Sequence, residues 1–222
     1  MVARGAQEKG VLAQIVLLAR QKRLPIQYVD RRQFDKMGSK INYQGVALET
    51  EGYPYADLQD MLAQSAQRQE KPWLLLLDCL QDPQNLGTLL RTAEAVGVHG
   101  IVLPKRRAAE VTPAVVSASS GASEHLYIGR ITNLVRTINE LKERDLWIAG
   151  LEETPDAQRV WKADLKGGLA LVVGNEGSGI RRLVRETCDF MIRLPMYGQI
   201  QSLNAAVAGS VALYEIARQR GK

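Results

Sequence analysis

Residues 73–104, WLLLLDCLQDPQNLGTLLRTAEAVGVHGIVLP, decide the fold of this chain. Residues 73–80 are almost wholly apolar, as are residues 100–104, and the segment 85–97 between them has a helical spacing of apolar positions. Continuous apolar runs of this length are typical of strands buried on both faces, as in a parallel sheet. The stretch therefore predicts a strand, a helix and a second strand parallel to the first.

The same alternation continues to the end of the chain. Further apolar runs occupy 125–130, 146–151, 169–174 and 190–195, and helical patterns occupy 112–119, 132–144, 180–187 and about 203–219. Strands that alternate with helices of this length indicate an α/β domain. We predict such a domain, with a mainly parallel sheet, over residues 73–222.

The N-terminal third of the chain has a different pattern. The sequence predicts a helix at 11–20 and strands at 25–29 and 44–49, which are too few elements to close a core of their own. A polar stretch with Gly and Pro follows at 53–72, and we interpret it as a linker that includes a short helix at 57–68.

The basic charge of the chain lies in the same region. Residues 1–50 hold nine Lys and Arg against four Asp and Glu, whereas the remaining residues hold 20 of each, so the net charge of +5 comes from the N-terminal part. Such an excess indicates either a polyanionic partner or an ordinary solvated surface. Charge alone favours the solvated surface.

Composition excludes several classes of protein. No apolar run reaches the length of roughly 18–20 residues that a membrane helix needs, and the first residues lack the layout of a secretory signal, so we expect a cytoplasmic protein without a membrane partner. The cysteines Cys79 and Cys188 and the histidines His99 and His125 are widely separated. Since a zinc site typically takes about four Cys or His ligands, we predict no metal site.

The first segment that could carry chemistry is D-P-Q-N-L-G-T-L-L-R, residues 82–91, directly after the strand at 73–80. Asn85 can cap the helix that begins there, and Gly87 allows close packing of the helix start. Arg91 lies near the carboxyl end of the predicted sheet, where α/β proteins form their sites. Taken alone, the segment favours a capped helix with a surface arginine.

The second segment is L-V-V-G-N-E-G-S-G-I, residues 171–180. Its glycines have the spacing G-x-x-G-x-G, which differs from the dinucleotide-binding pattern, and no lysine follows as in a phosphate-binding P-loop. The acidic Glu176 disfavours a phosphate and suits a cation or a hydroxyl. The segment is either a ligand-binding glycine loop or a tight turn from strand to helix.

The third segment is I-R-L-P-M-Y-G-Q-I-Q-S-L-N-A-A-V-A, residues 192–208. Ser202 is placed to cap the last helix, which leaves Asn204 in its first turn. The small residues at 205–212 allow close backbone approach, so this helix packs deep in the domain or against a second copy of the chain. We expect Ser202 and Asn204 to lie near the glycine loop.

Together, the three segments resemble the three motifs of the SpoU (TrmH) family of RNA ribose methyltransferases. N-L-G-x-x-x-R at 85–91, G-N-E-G-x-G at 174–179 and L-P-M-x-G-x-x-x-S-L-N at 194–204 match in order and spacing. The segment N-Y-Q-G-V-A at 42–47 is similar to one found in the RlmB subgroup, which methylates a guanosine ribose of 23S rRNA. Tyr43 stands where that subgroup usually has His.

The resemblance implies transfer of a methyl group from S-adenosylmethionine to a ribose 2′-hydroxyl of RNA. It implies a SPOUT domain at 73–222 with a C-terminal trefoil knot, a homodimer through the knot, and, at 1–52, the latter part of a ribosomal-protein-like RNA-binding domain, which we expect to be less ordered than the rest. It implies cofactor contacts around Gly174, Leu194, Met196 and Leu203 and a catalytic group of Arg91, Asn85, Glu176, Ser202 and Asn204.

The resemblance leaves two questions open. Arg91 is either a neutral base or a cation that stabilises the developing alkoxide, and we favour the cation because a guanidinium is effectively always charged. The target is a guanosine of 23S rRNA or, alternatively, a tRNA, and a further alternative is a ribosome-assembly factor that binds RNA without catalysis.

Overall fold

The structure, a computed structural model, describes residues 1–37 and 43–222. The chain forms two compact units, Met1–Tyr53 and Pro54–Lys222. Asn42, which begins the segment that resembles the RlmB subgroup, lies outside the described residues.

The described residues of the smaller unit, 1–37 and 43–53, form two short strands and two helices. They are β1 (Val2–Ala3), α1 (Val11–Gln21), β2 (Tyr28–Val29) and α2 (Arg31–Met37), with β1 parallel to β2. The predicted helix at 11–20 is confirmed, whereas β1 and α2 were not predicted.

The predicted strand at 44–49 is wrong. Gln44 and Gly45 both have positive φ, at 47° and 84°, so the backbone turns there and only Val46 forms an isolated bridge, to Val2. Just before this turn, the ring of Tyr43 packs against Phe34 at 5.4 Å between centroids. In this protein the aromatic residue at position 43 therefore contributes to the small hydrophobic core of the unit.

The larger unit is built on seven parallel strands, six of which the apolar runs predict. They are β3 (Trp73–Leu77), β4 (Gly100–Pro104), β5 (Ile128–Ile131), β6 (Trp147–Leu151), β7 (Gln158–Arg159), β8 (Leu169–Val173) and β9 (Phe190–Arg193). Their order is β5-β4-β3-β8-β6-β9-β7, with every pair parallel. Every residue of β3, β4 and β8 is buried, which confirms that the centre of the sheet is covered on both faces.

Helices precede, connect and follow these strands. They are α3 (Leu58–Gln67), α4 (Pro83–Val96), α5 (Pro113–Ala118), α6 (Leu134–Lys142), α7 (Arg182–Thr187) and α8 (Ala205–Gln219), with short 3-10 turns at Ala122–His125 and Val160–Lys162. The two-residue strand β7 and both 3-10 turns are too short to leave a periodic signal in the sequence, and none of them was predicted.

Residues 54–72 belong to the larger unit, although the sequence analysis interprets 53–72 as a linker. Ala56 donates its backbone N–H to the carbonyl of Ile128 at 2.8 Å, and Met61 of α3 is 1% exposed. Met61 lies directly against Gly100 and Gly129, where a side chain at either glycine would collide with it. The apolar face of α3 therefore covers one side of the sheet.

The small face of α8 packs within the domain, against α4. Ala205, Ala206, Gly209 and Ala212 are buried, and a Cβ built at Gly209 would lie 2.6 Å from Leu89 of α4. Of the two alternatives that the sequence left open for this face, the structure shows the first. Within the described residues, no helix is long and apolar enough to cross a membrane.

Candidate active site

The three motifs meet at one edge of the sheet. Because all seven strands are parallel, their carboxyl ends lie at the same edge. The first motif begins α4 after β3, the glycine loop follows β8, and the third motif connects β9 to α8. Residues that are far apart in the chain thus become neighbours.

Three of the predicted site residues form one hydrogen-bonded group, here called the polar cluster: Asn85, Glu176 and Asn204. Asn85 donates through Nδ2 to Glu176 Oε1, and Asn204 donates through Nδ2 to Asn85 Oδ1 at 3.0 Å. Asn85, from the first motif, therefore bonds to one residue from each of the other two motifs. The carboxylate of Glu176 fixes the direction of the Asn85 amide, since only the NH₂ side can donate to it.

The helix caps differ from those predicted, and this releases Asn85 for the cluster. Asp82, not Asn85, caps α4, because its carboxylate accepts from the backbone of Gln84 and Asn85 at 3.2 and 3.3 Å. Asn204, not Ser202, caps α8. Its Oδ1 accepts from the backbone N–H of Ala206 at 2.9 Å, and this bond leaves the Asn204 amide group free to reach Asn85.

Ser202 and Arg91 lie outside the polar cluster. The hydroxyl of Ser202 makes no hydrogen bond with any described residue. Arg91 is exposed on α4 and donates through Nη1 to Ser120 Oγ at 3.0 Å. Arg91 makes no hydrogen bond to the cluster among the described residues.

The glycine loop is a closed turn fixed by Asn175, a residue that the sequence analysis did not single out. The backbones of Asn175 and Gly179 bond to each other at 3.1 and 3.0 Å. The Asn175 side chain accepts from Gly177 N at 2.8 Å and donates to the carbonyl of Cys79 at 3.0 Å. A Cβ at Gly174 would collide with the backbone of Gly179, so the closed form of the loop requires glycine at this position.

A cavity of about 240 Å³ opens beside this loop. It is lined by all four predicted cofactor-binding residues, Gly174, Leu194, Met196 and Leu203, and by Glu176 and Ser202. Leu151 and Val173 add apolar wall, and the carboxylate of Glu152 adds an acidic group. Apolar walls with a few placed polar groups are typical of a site for a small organic ligand.

Two carboxylates that the sequence analysis missed hold the far side of the glycine loop. Glu152 accepts from Ile180 N at 3.3 Å and pairs with Arg185 at 3.2 Å. Asp78 is fully buried and pairs with Arg181 at 2.6 Å, and its hydrogen bond raises the pKa of the Arg181 guanidinium. Each acid directly follows an apolar run, at the carboxyl end of β3 or β6. An acidic residue in that position is the sequence feature from which both could have been predicted.

Comparisons with known proteins support this assignment of the motifs. Residues 72–214 match the model of the SpoU rRNA methylase family, and residues 1–56 match that of the RNA 2′-O ribose methyltransferase substrate-binding domain. The protein named YacO of Bacillus subtilis, described as a TrmH family tRNA/rRNA methyltransferase, is 46% identical over 212 residues, which cover 96% of this chain and 84% of YacO. A Staphylococcus aureus protein of the same description is 42% identical over 96% of this chain and 85% of its own length.

Solved structures have the same fold. The SpoU methyltransferase AviRb from Streptomyces viridochromogenes, in complex with the cofactor AdoMet, aligns over 99% of this chain and 81% of its own, with a TM-score of 0.78 and 26% identity. An AdoMet-bound rRNA methyltransferase from Sinorhizobium meliloti aligns over 93% of this chain and 77% of its own, with a TM-score of 0.77 and 22% identity. The family models and the relatives agree with the motifs, and the chain therefore belongs to the SpoU rRNA methylase family and is an RNA methyltransferase.

Proposed function

We propose that this protein transfers a methyl group from S-adenosylmethionine to a ribose 2′-hydroxyl of RNA, and that its target is a guanosine of 23S rRNA. One observation carries the proposal. The polar cluster of Asn85, Glu176 and Asn204 joins all three motifs at the mouth of a cavity that Glu176 itself lines. A polar group beside an apolar cavity suits a reaction between a bound cofactor and a hydroxyl from outside.

The cavity fits the cofactor on chemical grounds. Leu194, Met196 and Leu203 offer apolar surface for an adenine ring, and Gly174 brings bare backbone to the cavity wall. The carboxylates of Glu152 and Glu176 suit hydroxyls and positive charge. S-adenosylmethionine supplies a methyl group bonded to a positively charged sulfur. These residues would hold it and exclude water from one side.

The remaining site residues act on the RNA. Arg91 stays cationic and stabilises the negative charge that develops on the 2′-oxygen, while water or a phosphate takes the proton. Asn85, Asn204 and Ser202 orient the ribose, and the gain in rate comes mainly from holding the oxygen in line with the methyl group. We assign this role to Arg91 because it matches the arginine of the family motif. The variant Arg91→Ala tests the assignment.

The architecture completes the proposal. Residues 1–52 bind RNA in the cytoplasm, and the C-terminal part of residues 73–222 forms a trefoil knot around the cofactor. Two copies associate through this region. The outer side of α8 supports such a dimer, because Val207, Val211 and Tyr214 are 47%, 46% and 59% exposed and lie on one face.

The RNA target is tested by label transfer. The 42–47 segment favours 23S rRNA, while the names of the Bacillus and Staphylococcus relatives cover tRNA as well. The protein is incubated with methyl-labelled S-adenosylmethionine and either protein-free 23S rRNA or bulk tRNA, and the product is digested to nucleosides. We expect label in 2′-O-methylguanosine from 23S rRNA. Label in tRNA alone would change the target, and RNA binding without label in either RNA would leave the assembly-factor alternative.

A further inference from the structure

A cluster of three consecutive cations follows β4 at the same edge of the sheet as the polar cluster. We call Lys105, Arg106 and Arg107 the basic loop. All three side chains are exposed, and none makes an ion pair or a side-chain hydrogen bond with any described residue. The nearest acid along the chain, Glu110, is already paired with Arg130 at 2.8 Å.

The backbone of the basic loop is fixed at both ends. Lys105 donates its N–H to the carbonyl of Ile131 at 2.8 Å, and its own carbonyl accepts from Arg130 at 3.0 Å. Farther along, Ala109 donates to the carbonyl of Leu80 at 2.8 Å. The cations therefore project from a held turn, and less conformational entropy is lost when they bind a ligand.

Contacts connect the loop to the candidate active site. The carbonyl of Arg107 accepts from the side chain of Gln81, which directly precedes Asp82, the cap of the helix that carries Asn85. Burial raises the pKa of the Cys79 thiol, and the nearby positive charge of Arg107 opposes that rise. The carbonyl of Cys79 in turn accepts from Asn175 of the glycine loop. Residues 79–82 thus lie between the basic loop and the polar cluster.

We propose that the basic loop binds backbone phosphates of the RNA next to the methylated nucleotide. The inference rests on the proposed function, because it takes RNA as the ligand. Unpaired cations on a fixed backbone suit a string of phosphates, and phosphate contacts fix the register of a nucleic acid without reading its sequence. The loop would therefore position the ribose, while the polar cluster and Arg91 act on its 2′-oxygen.

The test is the salt dependence of RNA binding. We would measure the dissociation constant for protein-free 23S rRNA by filter binding over a series of KCl concentrations. The proteins compared are the wild type, the double variant Arg106→Gln with Arg107→Gln, and the single variant Arg106→Glu. The single variant leaves Arg107, whose φ is +57°, unchanged. Each phosphate contact contributes roughly 0.7 to 0.9 to the slope of log K against log salt. We expect the double variant to lose about one to two units of slope and its affinity to fall about tenfold.

A charge-matched control separates a site from a general charge effect. Lys162→Gln with Lys166→Gln removes two exposed cations from the segment between β7 and β8, outside the basic loop, and we expect its slope to equal that of the wild type. An unchanged slope in both loop variants, or an equal fall in the control, would overturn the inference. If the wild type binds RNA but transfers no methyl group, the proposed function is wrong. The salt dependence of binding would then still show whether the basic loop contacts phosphates. Affinity for S-adenosylmethionine should stay the same in all variants, which checks their folding.

Discussion

The two edges of the parallel sheet use polar residues in opposite ways. At the carboxyl edge, Arg91 and the three residues of the polar cluster are at least partly exposed, and Ser202 has no hydrogen-bond partner among the described residues. At the amino edge, a group that we call the clasp, Glu70, Trp73, His99 and Lys222, is closed upon itself. Trp73 N donates to His99 Nδ1 at 3.0 Å, and Lys222 pairs with Glu70 at 2.6 Å.

The histidine of the clasp uses both of its ring nitrogens within the fold. Because His99 Nδ1 accepts from Trp73, the proton of the neutral ring lies on Nε2, which donates to Glu70 at 3.1 Å. Burial lowers the pKa of His99 to about 4, so the ring is neutral at pH 7. The clasp fastens the end of α8 to the sheet, because Glu70 bonds to both His99 and Lys222. We infer that the amino edge serves stability and the carboxyl edge serves chemistry.

The largest expected effect is at the carboxyl edge. Arg91→Ala should lower the turnover number about 100- to 1,000-fold, the usual effect of removing one group that stabilises developing negative charge. Affinity for S-adenosylmethionine and the free energy of unfolding should stay near the wild-type values, because Arg91 is exposed and does not line the cavity. Initial rates, calorimetry and urea unfolding measure the three quantities.

Arg136→Ala, an exposed arginine on α6, is the control for Arg91 and should behave as the wild type. The pH–rate profile distinguishes the two roles of Arg91. An inflection that is present in the wild type and absent in Arg91→Ala would mean that Arg91 itself gives up a proton, and the cationic role would be wrong.

Asn85→Ala sharpens the comparison within the site. It removes the bonds to both Glu176 and Asn204, and a lost hydrogen bond to a charged group is worth roughly 1.5–3 kcal/mol, so turnover should fall at least about tenfold. Ser202→Ala should also lower turnover but by less, since in the proposed function Ser202 orients the ribose without a hydrogen bond from the cluster. Lost cofactor binding in either variant, seen by calorimetry, would contradict this division of roles.

At the carboxyl edge, the sequence predicted the strands and the glycine loop better than it predicted the helix caps and ion pairs. Apolar runs and glycine spacing predicted the parallel sheet and the loop, because both follow from local patterns. The cap of α4 was misassigned, since Asp82 and Asn85 are both good capping residues and only the third dimension decides between them. The pair of Asp78 with Arg181 joins residues 103 positions apart, which no local pattern encodes.

The amino edge was not predicted at all. His99 and Glu70 are 29 positions apart, and Glu70 and Lys222 are 152 apart, so the clasp exists only after β3, β4 and α8 have packed. A single histidine among apolar residues gave no signal of its partners. The order of strands in the sheet could not be predicted from the sequence either. Every apolar run is equally suited to a buried parallel strand, so none of them indicates its neighbours.

Gly174→Ala tests whether the glycine loop needs its closed form. A methyl group at this position would collide with the backbone of Gly179, and overpacking of this kind costs about 1–3 kcal/mol. We expect weaker binding of S-adenosylmethionine and a lower free energy of unfolding. Gly177→Ala is the matched control, because its Cβ would meet only Asn175 Oδ1, at 3.6 Å. Equal effects of the two substitutions would contradict the geometric argument.

The stability that His99 gives to the amino edge depends on pH. Its folded pKa lies below its ordinary value of 6.5, so its contribution is complete above pH 6.5 and is lost as the pH falls from 6.5 towards about 4. Between pH 7 and pH 5, the free energy of unfolding should fall by about 2 kcal/mol on this account. His99→Asn, which keeps an acceptor for Trp73 but does not titrate, should lack this fall in urea unfolding. An equal fall in both proteins would exclude His99 as its source.

The smallest effect is expected at the outer end of the clasp. Lys222→Ala removes an ion pair whose side chains are 29% and 32% exposed. Such a pair is worth less than about 1 kcal/mol at pH 7, and its loss should leave turnover unchanged. The hydrogen bond from Lys222 is the main cause of the lowered pKa of Glu70, whereas the lowered pKa of His99 comes first from burial and only then from charges such as that of Lys222. Without Lys222, the pKa of His99 should rise, and the loss of stability between pH 7 and pH 5 should become smaller.

Lys166→Ala removes an exposed cation that has no ion pair among the described residues, and it should leave that loss as it is in the wild type. A pH dependence that stays the same in Lys222→Ala would show that His99 and Lys222 act separately, and that the amino edge is not one coupled group.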